Sequence, residues 1–464
     1  MAPNLTVSVL EHSQVLPPPD TIPFLSLPLT SFDIPMSLFH KMQCIFFYEL
    51  PLPKTNVVNT IFPNLKSSLS LTLKHYFPLA GNLIFPPSSA AATKPELQYV
   101  EGDSVGLILA ECSGYDYNFL KGNHPQKIDD FYPLFPKFPR LNVACKKFPI
   151  LTVQVTVFPN VGITIALRFH HVIGDARSIG KFMKAWTSIN KLDGDAHLVE
   201  DGVCLPWFDR ALVNDSYGLA EIVWDYMKST ILSYTQPENG EDSSDLDIKH
   251  RATYIVTLAD IEKLKNLVRK KMPESVHVSS FVVTCAYVWT CPMKSVSALE
   301  EKTNEDEIQC VWFAVDVRAY LKPPVPDNYF GNCIISCIAK VVHSQLIGNE
   351  GFVIAAAAIG EAIEKMLHTQ EGPLELAKYW MSQCEEVNWL DSNGVSGSPK
   401  FNTYEADFGW GKPDKFEIVT DDHWGVMELH KARNFEGGLE VGLSLSKIKM
   451  EAFESFFTQG LNII

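Results

Sequence analysis

The feature that most constrains the fold is a pair of strands followed directly by an amphipathic helix. Residues 151–158 and 162–169 alternate as β-strands do, and the turn between them contains Pro159 and Asn160, which predicts a β-hairpin. Residues 176–190 then repeat apolar side chains at helical spacing, with Phe182 and Trp186 on one face. A hairpin that leads into a helix indicates a mixed α/β fold.

The remaining segments alternate in the same way. Helical spacing predicts helices at residues 62–76, 259–271, 279–291 and 447–459, and side-chain alternation predicts strands at 253–258 and 437–445. Pro292 is expected to end the helix at 279–291, because proline lacks the N–H that a helix interior needs. The apolar run 352–359 is expected to form a short buried helix that Gly360 and Glu361 end.

A polar segment near the middle divides the chain. The 464 residues exceed what one compact core usually contains. Residues 236–247 include Pro237, Gly240 and several acidic side chains, which is typical of a linker. We therefore predict an N-terminal domain of residues 1–235 and a C-terminal domain of residues 236–464.

Composition excludes several kinds of partner. The 39 basic and 54 acidic residues give a net charge of −15, which argues against nucleic acid or an anionic membrane as the main partner. No apolar run is long enough to span a membrane, and residues 1–19 do not resemble a secretory signal. The ten cysteines form no CxxC pair, and Cys333 and Cys337 lack neighbouring histidines, so we expect no metal site and a reduced, cytoplasmic location.

His171 and Asp175 form the best candidate for a catalytic pattern. His171 follows a predicted strand, Gly174 permits a tight turn, and Asp175 is placed to cap the next helix. An imidazole can accept a hydroxyl proton and return it to a leaving group near neutral pH. On these residues alone, a structural histidine beside a capping aspartate is an equal alternative.

The same spacing occurs a second time, at His197 and Asp201. This pair lies in a polar, acidic loop with no strand before it and no helix after it. We therefore interpret it as solvated surface.

Three motifs, in this order, resemble the signature of the plant BAHD acyltransferases. They are His171-x-x-x-Asp175, Tyr329-Phe-Gly-Asn-Cys333 and Asp407-Phe-Gly-Trp-Gly411. The middle motif is similar to that of the branch acting on flavonoid and anthocyanin glucosides. Further similarity extends nearly end to end, through residues 27–33, 79–83, 317–318 and 397–400.

The resemblance implies a two-domain chloramphenicol acetyltransferase-like α/β fold. Mixed sheets are flanked by helices, and the active site lies at the domain interface. It further implies a monomer that uses acyl-CoA as co-substrate, holds no permanently bound cofactor and acylates a small-molecule acceptor. His171 would be the general base, and Asp175 would turn away from the substrate to pair with Arg318.

The Asp407 motif in this family is remote from the chemistry and shapes the substrate channel. Gly409 and Gly411 fit that role, because glycine allows backbone turns that other residues resist. Asp407 as a second catalytic base is the alternative. Trp410 could donate its indole N–H to the oxyanion of the reaction.

Other residues are candidates for binding the acyl donor. Ser279 and Ser280 begin an apolar helix whose free N–H groups could meet the phosphates of coenzyme A, and Lys265 could assist. Arg177 could pair with a malonyl carboxylate, since a guanidinium suits a carboxylate; the outer helix face is an equal alternative for it.

The donor and the acceptor are less constrained. Residues 175–178 look like the malonyltransferase form, which favours malonyl and a phenolic, flavonoid or anthocyanin glucoside. Residues 41–47 and 431–438 look closer to hydroxycinnamoyl-transferring relatives. A hydroxycinnamoyl- or acetyl-CoA donor, or an alkaloid or terpenoid alcohol as acceptor, therefore remains an alternative.

Two other functional classes fit the sequence less well. A serine hydrolase would need a Gly-x-Ser-x-Gly elbow, which the sequence lacks. A non-catalytic binding protein that retains the fold is disfavoured by the intact His171 and Asp175.

Overall fold

A computed structural model describes most of the chain. The described residues are 6–19, 21–38, 42–85, 94–138, 147–213, 215, 217–234, 249–272, 278–298, 304–367, 381–382, 393–419 and 425–463. The predicted linker at 236–247 lies outside them, so the boundary between residues 235 and 236 stays a prediction.

Strands and helices alternate along the described chain. The strands are β1 Thr6–Val15, β2 Phe24–Pro28, β3 Met42–Glu49, β4 Asn82–Ile84, β5 Glu96–Val100, β6 Val105–Ser113, β7 Gln126–Lys127, β8 Lys147–Pro149, β9 Leu151–Phe158, β10 Gly162–Phe169, β11 Lys249–Val256, β12 Ile308–Asp316, β13 Ile334–Val342, β14 Asn393–Gly397, β15 Lys415–Ile418, β16 Gly425–Lys431 and β17 Leu439–Ser446. The longer helices are Phe62–His75, Ala176–Leu192, Leu219–Tyr234, Leu258–Lys271, Ser280–Ala298, Gly351–Leu367 and Lys447–Ile463, and single turns occur at Lys54–Asn56, Tyr117–Leu120 and His343–Ile347.

The predicted hairpin is the centre of the first sheet. β9 and β10 pair antiparallel with the register Leu151 opposite Phe169, and both strands are buried along their whole length. Within the described residues the sheet has the order β1-β6-β9-β10-β3-β15. β6 runs parallel to β9, so the sheet is mixed. The end of β10, the second strand of this hairpin, determines the position of His171, which follows two residues later.

The second large sheet belongs mainly to the C-terminal half. Its order in the described chain is β13-β12-β14-β16-β17-β11-β7. β12 and β14 pair in parallel, whereas β16 and β17 pair antiparallel. The helices Leu258–Lys271, Ser280–Ala298 and Gly351–Leu367 pack with this sheet in one apolar core. A smaller sheet, β2-β5-β4-β8, completes the N-terminal half.

Two strands cross between the halves. β15 comes from the C-terminal half of the chain but pairs with β3 of the first sheet, with Lys415 opposite Phe47. β7 comes from the N-terminal half but pairs with β11 of the second sheet. The predicted two-part α/β architecture is therefore present, and each large sheet includes a strand from the other half.

Two predicted helix ends are wrong. The helix Ser280–Ala298 continues through Pro292, and the helix Gly351–Leu367 continues through Gly360. In both helices the residues around the expected break are buried, and tertiary packing outweighs the local cost of proline or glycine. Near Pro292, the Ser295 hydroxyl donates a hydrogen bond to the Cys291 carbonyl oxygen at 2.8 Å.

Candidate active site

His171 lies in a single turn between the central hairpin and a long helix. β10 ends at Phe169, the turn spans His171–Ile173, and the helix begins at Ala176. Val172 and Ile173 are fully buried and anchor the turn in the core, whereas His171 keeps part of its surface exposed. The fold thus holds this imidazole rigidly while leaving it accessible.

Asp175 connects the His171 turn to the helix that follows and to the second half of the chain. One carboxylate oxygen, Oδ1, accepts hydrogen bonds from the Ser178 backbone N–H at 3.1 Å and the Ser178 hydroxyl at 3.2 Å. The other, Oδ2, lies 2.7 Å from Arg318 Nη1 and accepts a hydrogen bond from the Cys333 N–H at 3.1 Å. The helix cap and the ion pair expected from the sequence are therefore both present. Asp175 therefore orients the turn, and both of its oxygens are engaged by other residues of the turn and its surroundings.

Gly174 is required for space rather than for an unusual backbone angle. Its φ of 166° is extended backbone, which any residue can adopt. A Cβ atom at this position would lie 2.7 Å from the Ser178 Cβ. The sequence analysis explained this glycine by a tight turn. The structure explains it by the close approach of the helix that begins at Ala176.

Asn332 is a site residue to which sequence reasoning gave no role. Its side-chain amide donates hydrogen bonds to the His171 carbonyl oxygen and to Asp33 Oδ1, both at 2.9 Å. Asp33 is fully buried and also accepts a hydrogen bond from the Thr30 hydroxyl at 2.7 Å. Asn332 therefore ties the His171 turn to the N-terminal segment. Both residues lie in segments that carried the family resemblance, but nothing in their spacing indicated that they meet.

Arg210 is a second residue that the sequence analysis missed. Its guanidinium is buried and donates hydrogen bonds to the Tyr329 hydroxyl at 2.8 Å and the Phe330 carbonyl oxygen at 3.0 Å. A Cβ on Gly331 would lie 1.9 Å from Arg210 Nη1, so glycine is the residue that fits there. Burial opposes the charge of Arg210, but Asp33 and Tyr329 raise its pKa above the ordinary value. No sequence motif marks this arginine.

The surroundings of His171 keep its imidazole neutral. Burial lowers the pKa of His171 below its ordinary value, while the charge of Asp175 and a hydrogen bond with Asn332 oppose that shift. A neutral imidazole is the form that can accept a proton. The turn therefore presents an imidazole that can accept a proton at neutral pH.

The Asp407 loop lies at the far end of the same helix. Asp407 Oδ1 accepts hydrogen bonds from the N–H groups of Gly409 at 2.8 Å and Gly411 at 2.9 Å, and Oδ2 lies 2.8 Å from Lys191 Nζ. Gly409 and Gly411 have φ values of 104° and 108°, which favour glycine. These contacts support a structural role for Asp407, as closure of a tight loop.

Helix geometry separates the two motifs. Asp175 caps the first turn of Ala176–Leu192, and Lys191, the partner of Asp407, lies in its last turn. At a rise of 1.5 Å per residue, the motifs lie on the order of 20 Å apart. The catalytic role of Asp407 consequently has no geometric support.

Trp410 fixes this loop to the first sheet. Its ring stacks on Phe408 at 5.5 Å and meets Tyr48 edge-on at 6.2 Å. The Tyr48 hydroxyl also donates a hydrogen bond to the Ala406 carbonyl oxygen at 2.7 Å. The indole Nε1 is buried and has no hydrogen-bond partner among the described residues. These ring contacts explain the tryptophan without a role in stabilising an oxyanion.

The candidate coenzyme A residues lie on helices of the second half. Ser279 caps the helix that begins at Ser280, and its hydroxyl oxygen accepts a hydrogen bond from the Val282 N–H at 3.2 Å. Lys265 pairs with Glu262 at 2.7 Å. Their role in binding the donor stays a prediction.

His197, the surface alternative, pairs with Glu200 in an exposed turn, in agreement with its interpretation as solvated surface.

Arg177 is engaged by two carboxylates. Its Nε lies 2.9 Å from Asp316 Oδ2, and its Nη1 pairs with Asp327. The Arg177 side chain is about one-third exposed. Its role towards the acyl group stays a prediction.

An apolar pocket adjoins the His171 network. Its cavity volume is about 40 Å³, and it is lined by Phe32 and Met36 from the N-terminal segment, by Val223, and by Leu321 and Ile334 from the second half. Phe32 neighbours Asp33, and Ile334 follows Cys333, so the same two segments build the pocket and hold the His171 turn.

The described parts of the chain lack a metal-ligand cluster and a membrane-spanning helix. No group of three or more potential metal ligands occurs there. Nor does any helix of those parts have the length and apolar character to cross a membrane. Cys333 and Cys337 are free and buried, and burial raises the pKa of both thiols.

The chain is similar to solved and to curated proteins over nearly its whole length. The crystal structure of vinorine synthase superposes with a TM-score of 0.68 at 19% identity, covering 96% of both chains. Phenolic glucoside malonyltransferase 1 of Nicotiana tabacum is 43% identical, covering 98% of this chain and all of that protein. The malonyl-coenzyme A:anthocyanin 3-O-glucoside-6''-O-malonyltransferase of Dahlia pinnata is 41% identical, covering 99% of this chain and 98% of that protein.

The relatives show that the chain is an acyl-CoA-dependent acyltransferase, and its fold has the two-domain chloramphenicol acetyltransferase-like architecture. The Transferase family matches residues 5–459. The chain belongs to this family and, within it, to the BAHD acyltransferases that its motifs resembled.

Proposed function

We propose that this enzyme transfers an acyl group, preferentially malonyl, from coenzyme A to a hydroxyl of a phenolic glucoside such as a flavonoid or anthocyanin glucoside. The observation that carries the proposal is the partly exposed, neutral His171, held between Asp175 and Asn332. The malonyltransferase names of the relatives at 43% and 41% identity support the donor and the acceptor class.

The geometry suits a direct transfer. His171 accepts the proton of the acceptor hydroxyl, whose oxygen attacks the thioester carbonyl carbon. The tetrahedral intermediate collapses as the carbon–sulfur bond breaks, and the imidazolium returns its proton to the coenzyme A thiolate. The products are an ester and free coenzyme A, and no acyl-enzyme is needed. Asp175 takes no proton in this scheme, because both of its oxygens serve to hold the turn.

A hydroxycinnamoyl donor is the second candidate. It is favoured by residues 41–47 and 431–438, which look closer to those of hydroxycinnamoyl-transferring relatives. Comparing malonyl-, acetyl- and coumaroyl-CoA with one phenolic glucoside decides between the two donors. A rate with coumaroyl-CoA above that with malonyl-CoA would reverse our preference.

The first test is the release of free thiol from the acyl donor by purified protein. We expect release that depends on the acceptor, whereas a thioesterase would not need the acceptor and a binding protein would release nothing. His171→Ala removes the base and should lower kcat by about 10²- to 10⁴-fold. His197→Ala is the matched control, because it removes the histidine of the same spacing on the surface. A His171→Ala enzyme as fast as the parent would refute the mechanism.

We further propose that the enzyme acts as a monomer in the cytoplasm. The scattered cysteines, those of the described residues all free, support a reducing compartment. Light scattering coupled to gel filtration would measure the mass, for which the monomer value is 52.0 kDa.

A further inference from the structure

Arg177 takes part in a continuous row of alternating charges that ends at the catalytic turn. Asp327 pairs with Arg177, whose Nε lies 2.9 Å from Asp316 Oδ2. Asp316 Oδ1 in turn lies 3.3 Å from Arg318 Nη1 and accepts a hydrogen bond from the Arg318 backbone N–H at 3.0 Å. Arg318 Nη1 completes the row at 2.7 Å from Asp175 Oδ2.

Exposure falls steadily along this row. The side chains of Asp327, Arg177 and Asp316 are 65%, 32% and 29% exposed, whereas those of Arg318 and Asp175 are 5% and 3% exposed. The outer pairs are therefore weak by themselves, because water screens them. Their position matters more than their strength, since Asp316 is held between Arg177 and the buried Arg318.

The row is also balanced in charge. Lys181 adds a second cation to Asp327, so three carboxylates (Asp175, Asp316 and Asp327) face three cations (Arg177, Lys181 and Arg318). A malonyl carboxylate that bound Arg177 would add a fourth negative charge and would have to compete with Asp316 and Asp327. The local arrangement thus disfavours Arg177 as the group that recognises the donor.

We infer that Arg177 is a positioning residue, which holds Asp316 and through it the Arg318–Asp175 pair, rather than the residue that selects the malonyl group. This inference rests on the proposed function, because it concerns the rate of the same transfer. A loss of Arg177 frees Asp316 to move, which loosens Arg318 and the turn that carries His171. Small displacements of a catalytic group reduce the rate, since the reacting atoms must be held in a near-attack geometry.

The experiment compares malonyl-CoA and acetyl-CoA as donors for the parent, Arg177→Ala and Arg177→Lys. We expect Arg177→Ala to lower kcat by about threefold to tenfold with both donors alike. KM for each donor and the ratio of malonyl to acetyl transfer should stay within about twofold of the parent. Arg177→Lys should restore part of kcat, because it returns a cation to Asp316.

The matched control is Lys184→Ala, which removes a cation of the same helix that pairs with Asp201 outside the row. It should leave kcat unchanged. Asp316→Asn should lower kcat to a similar degree as Arg177→Ala, and the double variant should be no slower than the slower single variant, because both act through Arg318.

Two results would overturn the inference. A drop of tenfold or more in the ratio of malonyl to acetyl transfer would make Arg177 the selector of the acyl carboxylate. If kcat of Arg177→Ala equalled that of the parent with both donors, the outer ion pairs would have no effect on the His171 turn. If the parent itself transferred no acyl group, the proposed function would fail instead, so the two failures are distinguishable.

Discussion

At the scale of single residues, the catalytic turn depends on how burial and charge act on one imidazole. Burial lowers the pKa of His171, and Asp175 together with Asn332 limits that shift. The imidazole is thereby neutral at neutral pH, while Asp175 and Asn332 still stabilise its protonated form. This balance gives a direct expectation for the dependence of rate on pH.

The acid limb of kcat/KM should lie below pH 6.5, the ordinary pKa of histidine. Protonation removes the base, so activity is lost as the pH falls through the lowered pKa and is constant above it. In Asp175→Asn the nearby negative charge is gone, and the limb should move to still lower pH while kcat falls. Initial rates between pH 4.5 and 8 measure the acid limb of the parent and that of Asp175→Asn. An acid limb well above pH 6.5 in the parent would contradict this account.

The sequence predicted part of this site. His171 and Asp175 were recognisable from their spacing between a predicted strand and a predicted helix, and Arg318 was the partner that the family resemblance implied. Asp33, Arg210 and Asn332 were assigned no role, because they meet only when segments some 300 and 120 residues apart fold together. The order of residues along the chain contains no direct sign of such contacts.

At the scale of elements, the helix Ala176–Leu192 connects two motifs with different tasks. Its first turn is capped by Asp175, and its last turn binds the Asp407 loop through Lys191. Asn190 adds a hydrogen bond from its side-chain amide to the Phe408 carbonyl oxygen at 2.6 Å. The loop therefore fixes the far end of the helix that presents His171.

Asp407→Asn should keep most of the activity. An asparagine side-chain oxygen can still accept the hydrogen bonds of Gly409 and Gly411, and the exposed pair with Lys191 contributes no more than about 1 kcal/mol. Asp407→Ala removes both hydrogen bonds and should lower the free energy of unfolding by about 1–3 kcal/mol. Rates and urea unfolding check these expectations.

Glu405→Gln is the control for the Asp407 variants, because it alters another carboxylate of the same exposed segment. It should behave as the parent. The structural role is excluded if Asp407→Asn is folded and yet as inactive as His171→Ala, a result that would restore Asp407 as a catalytic base.

Strands with regular apolar alternation were predictable at this scale, and β9 and β10 have the bounds that the sequence indicated. The start of β11 was missed by four residues, since Lys249, His250 and Arg251 are polar. Arg251 is buried because two carboxylates neutralise it. Patterns of hydrophobicity do not reveal a buried charge that is compensated from elsewhere.

At the scale of the whole molecule, a buried ionic cluster joins the two large sheets where β15 of the first sheet faces the second sheet. Arg251 of β11 pairs with Glu417 of β15 and with Glu428 of β16. Lys415 Nζ lies 2.9 Å from Glu417 Oε1. Although burial opposes it, the charges of Arg251 and Lys415 lower the pKa of Glu417 to about 2. The carboxylate stays ionised between the sheets.

Arg251→Met should lower the free energy of unfolding by about 3–5 kcal/mol, because it leaves two buried carboxylates with too little positive charge. Lys228→Met is the control, since Lys228 forms an exposed pair with Asp225 and should change the free energy by less than about 0.5 kcal/mol. Urea unfolding compares the two variants. Equal stability of Arg251→Met and the parent would show that the cluster contributes nothing to holding the two sheets together.

The exchange of strands could not be predicted from the sequence. β15 has four residues and β7 has two, which is too short for a recognisable alternation. Their partners are also distant in the chain, since Lys415 pairs opposite Phe47 and Lys127 opposite His250. The two-part architecture followed from length and linker composition, but the pairing that binds the parts did not.

This exchange restricts how the enzyme can be recombined with its relatives. A chimera joined near residue 240 would place a foreign β15 at the edge of the native first sheet and a native β7 at the edge of the foreign second one. Exchanging acceptor or donor preference by swapping halves therefore requires that residues 415–418 and 126–127 stay with the sheets they complete. To engineer a new specificity by recombination, each complete sheet has to be exchanged as a unit, and not a continuous stretch of the chain.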